Sequence, residues 1–142
     1  MAKNGMSLTE ILRKCQRVDI DGSKSVAVVE DGVRQSRNKQ LVLTTKTRIP
    51  PGESKQRYHY HNLRIYPVER GYTGSLMACP AVKVSCDCER HKFVYEIALW
   101  KRGAADVIYS NGKMPTETNP QLIPGCCKHL IQAIRYVFRN NI

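Results

Sequence analysis

Val82-Lys-Val-Ser-Cys86-Asp-Cys88, answered after 38 intervening residues by Cys127-Lys-His129-Leu130, is the stretch whose reading decides the fold. Each half carries two soft donors one residue apart. In a strand, residues i and i+2 point to the same side, so Cys86 and Cys88 can face one ion. Cys127 and His129 fall at the first turn of an expected helix, where free N–H groups and the helix dipole favour thiolate. Two donors from each half supply the four N/S ligands of a tetrahedral structural zinc ion. The pattern leaves alternatives open. Cys126 can replace Cys127, pairing with His129 at i,i+3 on one helix face. His91, three residues after Cys88, can displace a ligand. Four unmetallated buried thiols and imidazoles are the plainer alternative.

Working outward, Leu130, Ile131, Ile134, Val137 and Phe138 form one apolar stripe, which predicts a C-terminal helix from about Cys127 to Arg139. Ser7-Leu-Thr-Glu10 is a capping box, and it predicts a short amphipathic helix over roughly Ser7–Arg17. Strand signals fall on Ser25–Val29, Gln40–Arg48, Arg57–Tyr66 and Ala81–Cys86. In the third of these, His59, His61, Leu63 and Ile65 share one face, while Tyr58, Tyr60, Arg64 and Tyr66 share the other. Lys92–Trp100 (KFVYEIALW) fits strand or helix equally well. Asn111-Gly112 is a tight-turn signal. Met114–Gly125, with three prolines, is expected to be an ordered loop. The expected fold class is α+β: a small, largely antiparallel sheet with N- and C-terminal helices, stapled by zinc. No internal repeat or linker divides residues 1–142, so a single domain is expected.

The order C-x-C, a spacer, then C-x-H opening an amphipathic helix resembles the SWIM-type zinc finger. The flanks agree: Val82-Lys-Val84-Ser-Cys86 is similar to its entering strand, and Cys127-Lys-His129-Leu to its helix start. The resemblance spans residues 82–139 and implies Cys86, Cys88, Cys127 and His129 as ligands of a structural Zn2+. The spacer departs from the family, being much longer than usual, but loop closure grows only slowly with length. SWIM-type fingers are associated with DNA or protein binding. More loosely, Leu99–Gly112 with Asn119-Pro and Pro124-Gly-Cys-Cys-Lys-His-Leu is similar to small virion proteins of tailed bacteriophages, in tail, baseplate or neck complexes. That similarity implies other structural proteins as partners, and a virion location if the chain is phage-encoded; otherwise an intracellular, reducing compartment is expected.

The charge is large for 142 residues, at +11, and uneven. Val33–Val68 holds eight basic residues against Glu53 alone, whereas Cys86–Cys126 is balanced. An acidic partner is implied, either protein or nucleic acid. The residues expected to meet it are Arg34, Arg37, Lys39, Arg57, Tyr58, Tyr60 and Arg64, since interleaved aromatics and cations suit stacking and phosphate contact. No apolar run approaches the ~18–20 residues of a membrane span, and the start MAKNGMS has no signal-peptide core. No G-x-S-x-G, Walker A, G-x-G-x-x-G, H-E-x-x-H or deaminase pattern is present, so no enzyme is expected. His59-Tyr60-His61 lacks a nearby acidic or thiol partner in the sequence, and Cys15 and Cys79 have no partners by spacing.

Overall fold

The structure, a computed structural model, describes residues 5–52, 55–110 and 114–142; the Asn111-Gly112 turn lies outside them. The chain is α+β. Among the described residues, four α-helices and five antiparallel strands follow in the order α1 (Leu8–Arg13), α2 (Arg17–Gly22), β1 (Val26–Val28), β2 (Arg34–Gln35), β3 (Leu41–Arg48), β4 (Tyr58–Pro67), β5 (Val82–Cys86), α3 (Glu96–Lys101) and α4 (Lys128–Arg139). In the sheet, β1 and β2 both pair with β3, which pairs with β4, which pairs with β5.

Alternation along the strands gives the sheet one wet and one dry face. Leu41, Leu43, Leu63, Ile65, Val82 and Val84 are buried, while Val42, Tyr60 and Arg64 on the opposite face are exposed. The dry face is covered by α4, which packs against β1, β3, β4 and β5 through Leu130, Ile131, Ile134 and Val137. The outer edge of β5 is closed by Met6, bridged to Val82, and by the Ala104 carbonyl, which accepts from the Val84 N–H at 2.9 Å.

The capping box at Ser7 is present in both directions, but the helix it opens ends at Arg13 rather than continuing to Arg17. The chain breaks at Lys14–Gln16, and α2 begins afresh at Arg17. The cause is tertiary. Lys14 and Cys15 press against Gly125, where an added Cβ would lie 2.6 Å from the Lys14 carbonyl oxygen.

KFVYEIALW resolves as helix. Residues 89–90 are already helical, a wide π turn spans His91–Tyr95, and α3 follows directly. Val94 through Leu99 are all buried, so no amphipathic period existed to be read. The π turn puts two backbone carbonyls within reach of the 114–125 loop. Thr118 donates its hydroxyl to Phe93 O at 2.8 Å, and the Asn119 side chain donates to Val94 O at 2.9 Å.

Two buried carboxylates fix this helix. Asp19 of α2 accepts from Arg90 at 3.0 and 3.1 Å and from the Tyr95 hydroxyl. Glu96 accepts from the backbone N–H groups of Ile108, Tyr109 and Ser110 and from the Ser110 hydroxyl.

Candidate metal centre

β5 ends at Cys86, and the chain turns through Asp87 so that Cys88 stands at the head of the helical run begun at residue 89. The Cys88 sulfur accepts the His91 N–H at 3.3 Å, the geometry of a side-chain N-cap. Cys127 is the N-cap residue of α4, and His129 lies in that helix's first turn. Two helices therefore begin at one point beneath the sheet, and each brings a cysteine there. The Cys86, Cys88, Cys127 and His129 donor atoms all lie within 4.8 Å of one another, and all four residues are buried. Two half-sites separated by 38 residues thus form one Cys3His cluster.

The cluster fits a metal ion on two grounds. A tetrahedral ion with thiolate and imidazole bonds of zinc-like length has donor–donor edges of about 3.4–3.8 Å, inside the span the four atoms occupy. Further, Nδ1 of His129 is buried with no hydrogen-bond partner. A buried polar atom left unpaired is costly, so the ring retains unmet bonding capacity beside three thiols. Without a metal, hydrogen bonds from the Cys127 and Cys86 thiols, helped by His129 and the His91 N–H, hold the Cys88 thiol far below its ordinary value against the opposing effect of burial. Burial pushes the Cys86 and Cys127 thiols up.

Neither alternate ligand belongs to the cluster. Cys126 turns the other way, to Cys15, with the two Sγ atoms 3.3 Å apart. His91 gives Cys88 its backbone N–H, while its ring sits buried beside Glu96, Nε2 to Oε2 3.7 Å, with both nitrogens lacking a hydrogen bond.

The second layer holds a partnership that spacing could not reveal. His61, on the dry face of β4, lies against His129 with ring centroids 4.3 Å apart. Its Nδ1 is 2.9 Å from Asp87 Oδ1, which also accepts the Asn62 N–H. The acidic partner that the local sequence denies His61 comes from the turn between Cys86 and Cys88. The signal was the β4–β5 register: Leu63 opposite Cys86 carries Asp87 across from Asn62, the neighbour of His61.

The basic residues lie elsewhere. Arg34 opposes Val42, which opposes Arg64, so the two arginines flank an exposed valine across three strands. Tyr58 and Tyr60 oppose Arg48 and Lys46 on the same wet face. Their rings are 6.2 Å apart, and Lys46 Nζ stands 5.1 Å over Tyr58. Arg37 and Lys39 are in the β2–β3 turn, Lys39 with a left-handed φ of 66°, and Arg57 immediately precedes β4. Among the described residues, the ion pairs are Arg17–Asp21, His61–Asp87, Lys83–Asp106, Arg90–Asp19 and His91–Glu96, none of which involves these cations. No helix among the described residues is long and apolar enough to cross a membrane.

Fold and site together define a class: a small α+β chain whose sheet and two helix starts converge on a buried Cys3His cluster. No family model, curated protein or solved structure matches it.

Proposed function

We propose that this chain is a non-enzymatic, zinc-stabilised docking protein of a larger assembly, of the kind that builds the tail, baseplate or neck of a tailed-phage virion. The observation that carries this is the closed donor set. Four buried protein donors would fill all four positions of a tetrahedral ion and leave none for water or substrate, which is the pattern of a structural site rather than a catalytic one. Three thiols and an imidazole favour a soft divalent ion, and zinc is the common one with tetrahedral preference. The C-x-C…C-x-H order supports a SWIM-type finger with a long spacer.

Bound zinc would contribute folding free energy, about 10–16 kcal/mol in apparent terms for finger peptides, which matches or exceeds the stability of a typical domain. The chain's own groups do the rest. Cys86 and Cys88 anchor the end of the sheet, while Cys127 and His129 anchor α4. His61, aligned by Asp87, packs against the His129 ring. The wet sheet face, with Arg34, Lys46, Arg48 and Arg64 beside Tyr58 and Tyr60, would then meet an acidic neighbour. In purified particles of a phage encoding the chain, quantitative mass spectrometry should find it at a fixed copy number. Its absence from washed particles would remove the virion assignment.

One observation favours a second reading, a nucleic-acid module. Paired tyrosines among exposed cations on the wet sheet face suit base stacking and phosphate contact. Such binding should weaken steeply with salt, with a log–log slope of several units. A chain that binds neither single- nor double-stranded nucleic acid at low salt excludes it.

A further inference from the structure

We propose that Cys15 and Cys126 form an oxidation site: a dithiol that a hydroperoxide converts to a disulfide, joining the segment after α1 to the approach of α4. The two sulfurs are 3.3 Å apart, and the Cys126 N–H donates to Cys15 Sγ at the same distance. The backbone before Cys126 is close as well: a Cβ on Gly125 would lie only 2.9 Å from Cys15 Cα. Closing the bond needs the sulfurs to approach by only about 1.2 Å, to the usual S–S length near 2.05 Å.

Access selects the attacked atom. Cys15 is the one cysteine of the six that is not buried. Cys86, Cys88 and Cys127 sit in the metal cluster, and Cys79 is buried and donates to the Ala81 carbonyl. The chemistry balances in two steps. The Cys15 sulfur displaces an alcohol or water from the hydroperoxide, its S–H proton leaving with that product, to give a sulfenic acid. The Cys126 sulfur then attacks Cys15 Sγ, expelling hydroxide, which combines with the Cys126 proton as water. Two thiols are oxidised and one hydroperoxide is reduced. The resulting cross-link ends one residue before the metal ligand Cys127, so it locks the approach to the site without consuming a ligand.

The test uses the full chain, reduced, supplied with zinc and treated with hydrogen peroxide at stoichiometric amounts. Intact mass should fall by about 2 Da and return with dithiothreitol. Non-reducing peptide mapping, with fragmentation between Cys126 and Cys127, should give a Cys15–Cys126 link. That link should vanish in Cys15→Ser and persist in Cys79→Ser. The proposal is overturned if Cys15 stays free while other cysteines oxidise, if it pairs with a different cysteine, or if no thiol reacts. The wild-type map decides the matter even if a variant fails to fold.

Discussion

Gly125 has no room for a side chain. An alanine there would drive its Cβ into the Lys14 carbonyl oxygen at 2.6 Å and Cys15 Cα at 2.9 Å, both backbone atoms that cannot step aside. Gly125→Ala should therefore destabilise the fold by about 1–3 kcal/mol, measured by denaturant unfolding, and an unchanged midpoint would contradict the packing described. At the cluster, Cys88→Ser removes the thiol that every other donor faces. A sharp fall in melting temperature is expected, together with loss of bound metal. These four residues were legible from sequence because thiol and imidazole spacing is a local signature. The Cys15–Cys126 contact was not, since its partners are 111 positions apart and nothing near either marks the other. Asp87 was equally hidden: beside two cysteines it reads as a turn residue, and only the strand register gives it His61.

At the scale of elements, what sequence could place depends on whether one face stays wet. Helix α4 was legible because Arg135 and Arg139 are exposed opposite a buried stripe. The helix around residues 91–101 was not, because six consecutive residues are buried there and period is lost. Its position depends on Asp19, which is 4% exposed and accepts from both Arg90 and Tyr95. Asp19→Ala should cost about 3 kcal/mol, because it strands Arg90 and a buried hydroxyl. Ile134→Ala in α4 empties fully buried volume over the sheet and should cost about 2–5 kcal/mol. A smaller effect follows at the sheet edge. Lys83, then Tyr66, hold the Asp106 carboxyl below its ordinary value. A depressed carboxylate stabilises above its unfolded pKa, and that contribution fades as pH falls through the folded value. Asp106 is half-exposed, so Lys83→Met should flatten the acid limb of the stability profile only slightly.

For the whole molecule, the antiparallel α+β class follows from strand alternation and the terminal helices, while the pairing of both β1 and β2 with β3 has no local cue. The charge of +11 divides in the same way as the fold. The cluster lies on the dry side of the sheet, at the start of α4, and the cations without an ion pair among the described residues stand on the wet side. The proposed staple and the proposed docking surface thus fall on opposite faces, and substitutions in one should leave the other intact. Arg34→Ala with Arg64→Ala should keep the melting temperature while weakening attachment to an acidic partner. Thiolate ligands must be deprotonated to hold a metal, so acid should release it and lower stability together. The most direct measurement is elemental analysis of the purified full chain beside its His129→Ala variant. About one zinc per wild-type chain, greatly reduced in the variant, is predicted from the four-donor site. Wild-type protein free of zinc, with a melting temperature indifferent to added zinc or to a strong chelator, would contradict it.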